Sequence, residues 1–255
     1  MDHETQRLLG EINRRFYTLR AADFSATRSY PWPGWERLIP ELPERAIDRG
    51  LRVLDVGCGN GRFGRFLLDR EVALETYVGI DSSPVLLEYA RESLAGLLPE
   101  ECQLILADFL TSEPDAALPF GHFELVGAFG LLHHVPGHAV RRALLRAMAR
   151  RVTPGGLLVC TFWRFGSIER FEPRVIGWED YNRDSSDPVD TSQLEEGDHL
   201  LAFGGSEGPP RYCHHHDDAE IASLLDASEL NVRLRFDADG RGGNLNHYTV
   251  MQRSA

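Results

Sequence analysis

Over residues 5–20 the apolar positions recur at intervals of three and four, at Leu8, Leu9, Ile12, Phe16 and Leu19. This spacing places them on one face, so the sequence predicts an amphipathic helix that packs on a core. Pro31 and Pro33 exclude a continuous helix after it, and residues 23–33 are predicted to form an ordered loop. A second helix is predicted from residue 35 to residue 48.

From residue 51 onward, short continuous apolar runs alternate with helical stretches. The runs predict strands over residues 51–56, 76–80, 103–107, 123–128 and 157–162. The stretches between them predict helices over residues 62–70, 84–98 and 138–151. Continuous apolar runs suit strands that are buried on both faces, so this alternation predicts a doubly wound, mostly parallel α/β sheet.

The C-terminal part of the chain predicts a different pairing. Asp217, with Glu220 three residues later, forms a capping-box pattern that predicts a helix to about residue 227. Two strands over residues 231–236 and 247–252 are expected to join the sheet as an antiparallel pair. The prediction is therefore a seven-stranded, mostly parallel sheet with an antiparallel C-terminal strand pair.

The domain organisation follows from these elements. Residues 1–48 are predicted to be a helical and loop segment that packs on one catalytic domain, residues 49–255. Residues 164–213 are rich in Gly, Pro, Asp and Ser and show no clear period, so an irregular insertion is expected there. Long irregular segments within compact domains commonly have functional roles.

The net charge of the chain restricts the kinds of macromolecule that it can bind. The 255 residues carry a formal net charge of −12, the sequence pI is about 5.3, and all 27 basic residues are Arg. A domain that binds a nucleic-acid backbone is usually basic, so any such contact requires a local patch or a partner protein. No apolar run approaches the roughly 18 residues of a membrane helix. A soluble protein without membrane contact is expected.

The cysteines are scattered through the chain at Cys58, Cys102, Cys160 and Cys213. None forms a CxxC pair, and the first residues show no apolar signal segment. The pattern predicts reduced thiols in a cytoplasmic protein.

A glycine-rich turn follows the first predicted strand of the sheet. Asp55 lies in that strand, and Gly57, Gly59 and Gly61 follow it. Glycines at this place allow a sharp strand-to-helix turn and a close approach of a ligand to the backbone. The segment 59–64 also satisfies the GxGxxG pattern of dinucleotide enzymes, so a dehydrogenase is one interpretation.

Asp55 favours a different cofactor. A carboxylate directly ahead of the glycines can face the ammonium of S-adenosylmethionine, a cofactor without a pyrophosphate for the helix N-terminus. The segment from Leu54 to Gly61 resembles the first motif of the class I S-adenosylmethionine-dependent methyltransferases, which have a Rossmann-like fold. Segments similar to the later motifs follow in the family's order, at residues 77–83, 107–109, 129–135 and 152–157.

The resemblance implies a cofactor site. Asp81 corresponds to the acid that binds both ribose hydroxyls in the family, although a turn cap is an alternative interpretation of it. Asp108 corresponds to a residue beside the adenine and can accept from its exocyclic amine; a purely structural role for it stays open. The implied cofactor-binding residues are Asp55, Gly57, Cys58, Gly59, Gly61, Asp81, Ser82, Asp108, Phe109 and Phe129.

Two segments outside the core are similar to a narrower family. Residues 24–33 and the segment from Arg211 to His215 resemble the eukaryotic tRNA wobble-uridine carboxymethyl methyltransferases, which form a methyl ester on the uridine base. The resemblance implies tRNA as the methyl acceptor and a small zinc-binding activator protein as a partner. The chain departs from the family at Cys213 and at residues 244–248.

These departures leave the acceptor open. An oxyacetic-acid uridine or a small carboxylic acid is an alternative substrate, and a non-catalytic S-adenosylmethionine-binding subunit is an alternative function. A carboxylate is ionised at neutral pH, so its methylation needs alignment more than a general base. Arg28 and Arg211 are predicted to hold this carboxylate, because an arginine fork matches it bidentately.

Histidines provide the remaining candidates. His133 is predicted to lie on the acceptor side, since loops at the carboxyl ends of strands line such clefts. His134 is as readily explained by packing and a backbone hydrogen bond. No metal is predicted at His214, His215 and His216, because consecutive side chains point in different directions and zinc sites favour spaced ligands.

Overall fold

A computed structural model describes residues 1–27, 30–43, 49–96, 102–110, 113–203 and 208–255. Its main sheet has seven strands in the order β3-β2-β1-β4-β5-β10-β9. These are β1 (Leu51–Val56), β2 (Leu74–Asp81), β3 (Gln103–Leu106), β4 (Phe123–Ala128), β5 (Val152–Trp163), β9 (Asn231–Ala238) and β10 (Asn246–Gln252). Strands β1 to β5 are parallel, whereas β10 runs antiparallel to both β5 and β9. The predicted fold class is confirmed.

The α-helices of the described residues lie before, between and after the strands. They are α1 (His3–Ala26), α2 (Pro33–Glu36), α3 (Arg62–Asp69), α4 (Pro84–Leu94), α5 (Pro114–Ala117), α6 (His138–Arg150), α7 (Trp178–Asp184) and α8 (Asp218–Ser228). No helix in this described part of the chain is long and apolar enough to cross a membrane.

Local sequence signals account for several helix ends. The carboxylate of Asp217 accepts a hydrogen bond from the Glu220 amide at 2.7 Å, which confirms the predicted cap of α8. Pro84 occupies the first turn of α4, and the hydroxyl of Ser83 accepts from the Leu86 amide. Proline is tolerated there because the first helical N–H groups have no partner within the helix.

The N-terminal predictions need two corrections. Helix α1 continues to Ala26 and includes the start of the expected loop, because the prolines that end helical structure come only at residues 31 and 33. The long helix predicted over residues 35–48 is wrong. The chain forms the short α2 and a 3₁₀ turn at Ile39–Glu41, since Pro40 and Pro43 cannot continue an α-helix. Residues 44–48 lie outside the described part.

Residues 164–213 are more regular than their composition indicates. Strands β6 (Val175–Ile176), β7 (Asp198–Leu201) and β8 (Arg211–His214) form a small antiparallel sheet, and α7 lies between β6 and β7. Strands this short are below the length at which apolar alternation can be recognised. The sheet packs beneath α1 through an apolar cluster that includes Leu9, Ile12, Leu200 and Tyr212.

Candidate active site

A cavity of about 630 Å³ opens at the carboxyl ends of β1 and β4, where the strand order reverses. Open α/β sheets bind their ligands at this point because the connections on either side diverge. Helix α1 and the segment 163–174 also line the cavity. One end, the cofactor end, is formed by the glycine turn with Asp55, Asp81 and Asp108. Another part of the lining, named the acceptor end after the predicted role of His133 and Arg211, contains His133, Trp163, Phe171 and Arg211.

The glycine turn has the backbone conformation that its sequence predicts. Gly57, Gly59 and Gly61 have φ angles of +76°, +56° and +76°, which disfavour any residue with a Cβ atom. A Cβ built on Gly59 meets no atom within 4 Å, because this residue faces the cavity. The Gly57 and Cys58 amides donate to the Ile80 carbonyl at 2.7 and 2.9 Å, which ties the turn to β2.

Asp81 at the end of β2 holds the same turn from its side chain. One carboxylate oxygen accepts from the Gly59 amide and the other from the Ser83 amide, both at 2.8 Å. An ionised carboxylate offers about four lone-pair sites, so each oxygen retains capacity for a ligand hydroxyl. Burial raises the pKa of Asp81 and the backbone donors oppose it. Asp81 therefore both caps the turn and faces the cavity, as does its neighbour Ser82.

Asp55 is the most deeply buried acid at the cofactor end, with 1% of its surface exposed. Burial raises its pKa to about 7, although the Tyr77 hydroxyl donates a hydrogen bond to the carboxylate at 2.7 Å. A cation placed beside this carboxylate relieves the cost of its charge. The site is therefore suited to a ligand with an ammonium group.

Asp108 is paired with the N-terminal helix. The Arg14 guanidinium donates to one carboxylate oxygen at 2.7 Å, and the Leu110 amide donates to the other at 2.9 Å. Phe109 is buried beside it and lines the cavity. Helix α1 therefore contributes directly to the cofactor end, which the sequence did not indicate for Arg14.

The cofactor end fits the groups of S-adenosylmethionine. Its three acids, Asp55, Asp81 and Asp108, match an ammonium, ribose hydroxyls and an adenine amine. Gly59 leaves open space for close approach to the backbone. Phe129 is 9% exposed and packs 4.3 Å from Phe63 between ring centroids, which provides an apolar wall. No part of this fit requires a helix N-terminus that binds a pyrophosphate.

The acceptor end contains a buried cation. Arg211 on β8 is 6% exposed and lies over the rings of Trp163 and Phe16, at 5.1 and 5.4 Å from their centroids. Burial disfavours its charge, but Cys213 and Tyr17 outweigh this effect, so the pKa of Arg211 is raised and it is cationic. Its Nε has no hydrogen-bond partner among the described residues. A buried cation with an unused donor is suited to an anionic ligand.

The paired histidines behave differently from each other. His133 is buried, lines the cavity and lies 4.9 Å from Trp163 between ring centroids. His134 contacts the Tyr212 carbonyl at 2.9 Å through Nδ1 and the Tyr17 hydroxyl at 3.0 Å through Nε2. The backbone hydrogen bond expected for His134 is present, and the tautomer that makes it leaves Nε2 to accept from Tyr17.

The predicted site residues divide accordingly. The ten cofactor residues meet at the cofactor end or in the turn that forms it, while His133 and Arg211 meet at the acceptor end. Arg28 lies outside the described residues. Arg14 and Tyr17 were missed, because helical periodicity explains both as parts of α1.

Behind β8, a buried network includes His214. Its ring nitrogens contact Asp198 and Glu220, both at 2.7 Å, and Glu220 also accepts from the fully buried Arg141. His216 lies near His214, with 4.9 Å between ring centroids, since alternate residues share a face even where consecutive ones diverge. Arg141 also pairs with Glu195. The carboxylates thus have cationic protein partners.

This network predicts a pH dependence of stability. Burial lowers the pKa of His214, but Asp198 and Glu220 outweigh this effect, so its pKa is raised. The stabilisation of the folded state by protonated His214 is complete below pH 6.5, which is about the pKa of histidine in the unfolded chain. It is lost as the pH rises through the pKa of His214 in the folded state. His214→Gln should lower the urea-unfolding free energy at pH 6 by about 3 kcal/mol, and by less at pH 9. An equal loss of unfolding free energy at pH 6 and pH 9 would contradict the raised pKa of His214. The control is His122→Gln, which changes an exposed histidine.

Comparisons with known proteins agree with this site. Residues 53–156 match the family model of a methyltransferase domain. A macaque (Macaca fascicularis) tRNA (carboxymethyluridine(34)-5-O)-methyltransferase, ALKBH8, is 29% identical over 164 residues, covering 64% of this chain and 21% of the relative. A ubiquinone biosynthesis O-methyltransferase of Xanthomonas oryzae is 38% identical over 190 residues, covering 72% of this chain and 64% of the relative.

Solved structures share the fold. The S-adenosylmethionine-bound amino pentose methyltransferase CalS10 of Micromonospora echinaspora has a TM-score of 0.58 at 20% identity, covering 91% of this chain and 96% of that one. A putative methyltransferase in complex with the Haloferax volcanii Trm112 methyltransferase activator has a TM-score of 0.60 at 16% identity, covering 95% and 97%.

These findings define the class. Residues 53–156 match a methyltransferase domain, and the chain has the fold of class I S-adenosylmethionine-dependent methyltransferases. Both findings agree with the predicted enzyme class and cofactor. Its sequence is similar to tRNA methyltransferases, of which ALKBH8 is named for carboxymethyluridine at position 34. The chain spans about a fifth to a third of the length of these tRNA methyltransferase relatives.

Proposed function

We propose that this chain transfers the methyl group of S-adenosylmethionine to a carboxylate on a modified wobble uridine of tRNA, forming a methyl ester. The observation that carries the proposal is the buried cation of Arg211 in the cavity that also contains the glycine turn. Its free Nε and its position over Trp163 suit a planar anionic group.

The proposed reaction requires little from the protein beyond alignment of the carboxylate with the methyl group of the cofactor. The cofactor supplies an electrophilic methyl carbon on a sulfonium. A carboxylate oxygen bonds to this carbon as the carbon–sulfur bond breaks, and the electron pair of that bond stays on sulfur, so no proton is moved. Arg211 is proposed to orient the carboxylate and His133 to contact the acceptor, while α1 excludes water. Alignment of this kind contributes about 7 kcal/mol or more to a rate enhancement.

Two comparisons support tRNA and a partner. The ALKBH8 relative is named as a methyltransferase of carboxymethyluridine in tRNA, the class of acceptor that the resemblance of the segment around Arg211 implies. The acidic chain needs additional basic surface for a polynucleotide, and one structural neighbour is in complex with the Trm112 methyltransferase activator. We include a small activator protein in the proposal on this basis.

The proposal predicts an alkali-labile product. The full chain should transfer a radiolabelled methyl group from S-adenosylmethionine to bulk tRNA, and mild alkali should release the label from a uridine nucleoside. The assay is run with and without a Trm112-type activator, and the control is an Asp81→Ala variant, which should not incorporate label. Alkali-stable label, or label on another base, would contradict ester formation at a uridine.

A small-molecule methyltransferase is the second candidate. The net charge of −12 favours it, as does the 38% identity to a ubiquinone biosynthesis O-methyltransferase. Turnover of a free carboxylic acid, with no label on tRNA in either condition, would select this function. Tight cofactor binding without transfer to either acceptor would instead indicate a non-catalytic S-adenosylmethionine-binding subunit.

A further inference from the structure

Acidic groups are confined to one part of the cavity lining. The described acidic lining residues are Asp55, Asp81 and Asp108, and all three belong to the cofactor end, which also contains Arg14 and Arg62. The described lining of the acceptor end contains Arg170, Arg174 and Arg211 and no acidic residue. In a chain with a net charge of −12, this segregation makes the acceptor end a local basic site.

The three arginines are connected by aromatic rings. Arg211 lies over Trp163, whose ring meets that of Phe171 edge-on at 5.2 Å between centroids. Arg170 and Arg174 lie over the same Phe171, at 4.8 and 5.6 Å from its centroid. The path leads from the buried Arg211 through two buried rings to two exposed guanidinium groups at the mouth.

The two exposed arginines have no acidic partner among the described residues, whereas nearby Arg164 forms an ion pair with Asp218 at 2.9 Å. Both belong to the 3₁₀ segment Glu169–Arg174, and the Arg174 carbonyl accepts from the Ala202 amide at 2.8 Å. This backbone bond ties the segment to the small sheet. The segment also contains the exposed Glu169 and Glu172, which form no ion pair with either arginine and do not line the cavity. The two guanidinium groups therefore lie at the mouth without an ion-pair partner among the described residues.

We infer that Arg170 and Arg174 form a phosphate-binding subsite for the acceptor, next to the carboxylate subsite of Arg211. Two guanidinium groups present planar donor forks that match phosphate oxygens bidentately. The phosphate is either a backbone phosphodiester of RNA or the phosphate monoester of a small acceptor. This inference rests on the proposed function for the position of Arg211, and it assigns a role to residues 169–174 of the insertion.

The test compares two double variants with the same loss of charge. Arg170→Ala/Arg174→Ala removes the subsite, and Arg65→Ala/Arg183→Ala removes two exposed arginines that do not line the cavity. Two probes are used with the full chain and saturating S-adenosylhomocysteine. A fluorescein-labelled single-stranded RNA heptamer is followed by anisotropy at several salt concentrations, and inorganic phosphate is followed by phosphorus NMR.

The subsite variant should bind the heptamer about tenfold more weakly, and its log–log salt slope should decrease by about 1.4, as for two lost phosphate contacts on a single strand. Phosphate binding should weaken as well, while the control variant and the cofactor affinity change little. Weaker phosphate binding with unchanged RNA binding also supports the subsite and indicates a small phosphorylated acceptor. The inference would be overturned if the subsite variant bound both the heptamer and phosphate as tightly as the unmodified chain. It would also be overturned if the unmodified chain bound neither probe.

The outcome is separable from that of the proposed function. Neither probe carries a carboxylate, so binding is measured without methyl transfer. Absence of a methyl ester on tRNA with a phosphate effect in the subsite variant would reject the proposed acceptor and retain the subsite. A methyl ester on tRNA with no difference between the two double variants would retain the proposed acceptor and reject the subsite.

Discussion

Asp55→Asn is expected to stabilise the free protein at pH 8 and to remove most of its affinity for S-adenosylmethionine. Asp55 is fully buried, and burial raises its pKa from 3.8 to about 7. Each pKa unit corresponds to about 1.4 kcal/mol, so ionised Asp55 costs about 4 kcal/mol of folding free energy. An asparagine keeps an oxygen that can accept from Tyr77 and carries no charge.

The sign of the effect follows from linkage. Because the folded pKa of Asp55 lies above the unfolded value, the folded state binds more protons between about pH 4 and pH 7, and stability decreases as the pH rises through this window. The stabilisation by Asn should therefore be absent near pH 4 and complete above pH 7. Cofactor affinity of the unmodified chain should fall below pH 7, by up to about tenfold per pH unit, as Asp55 becomes protonated and no longer attracts the ammonium.

Urea unfolding at pH 4, 6 and 8 measures the first effect, and calorimetric titration with S-adenosylmethionine over the same range measures the second. Asp69→Asn, at an exposed acid on α3, is the matched control and should change neither quantity appreciably. If Asp55→Asn retains full cofactor affinity, the assignment of Asp55 to the ammonium is wrong. If its stability gain does not depend on pH, the raised pKa of Asp55 is wrong.

Arg211→Gln is expected to lower kcat/KM for the acceptor by about a hundredfold, with most of the change in KM, and to leave the dissociation constant of S-adenosylmethionine unchanged. A charge-assisted hydrogen bond to an ionised partner contributes about 1.5–3 kcal/mol, which corresponds to roughly ten- to a hundredfold, and the lost fork adds to this. Glutamine occupies part of the space above Trp163 and avoids a large cavity.

Two variants define what this loss means. Arg211→Lys keeps the charge without the planar fork, so intermediate activity would show that bidentate geometry contributes. Arg164→Ala removes a neighbouring arginine whose partner is Asp218 and should leave KM unchanged. Loss of cofactor affinity in Arg211→Gln would show instead that Arg211 supports the whole cavity and does not select the acceptor.

The cofactor end was accessible to sequence reasoning because its parts are local. Gly57 and Gly59 require positive φ angles that few other residues adopt, and Asp55 and Asp81 lie at the ends of strands whose apolar runs are recognisable. Parallel strands bring their carboxyl ends to one edge of the sheet, where the resemblance to the class I methyltransferases implies that these residues meet. The antiparallel strands β9 and β10 were also predicted from the sequence of the C-terminal part of the chain.

The acceptor end was decided by tertiary structure. Arg211 lies in a four-residue strand of a small sheet that periodicity could not reveal, and it reaches Trp163 only because that sheet packs against α1 and β5. Arg14 and Tyr17 look like solvent and core positions of an amphipathic helix, yet they contact Asp108 and His134, more than 90 residues away in sequence.

Sequence alone thus determined the sheet, the glycine turn and the acids that flank it, since local backbone preference and burial specify them. Only the tertiary structure determined which cations line the acceptor end, since that depends on long-range packing of α1 and the small sheet onto the domain. It also separated paired arginines such as Arg164 from those at the cavity mouth, because an ion pair depends on the fold and not on residue type.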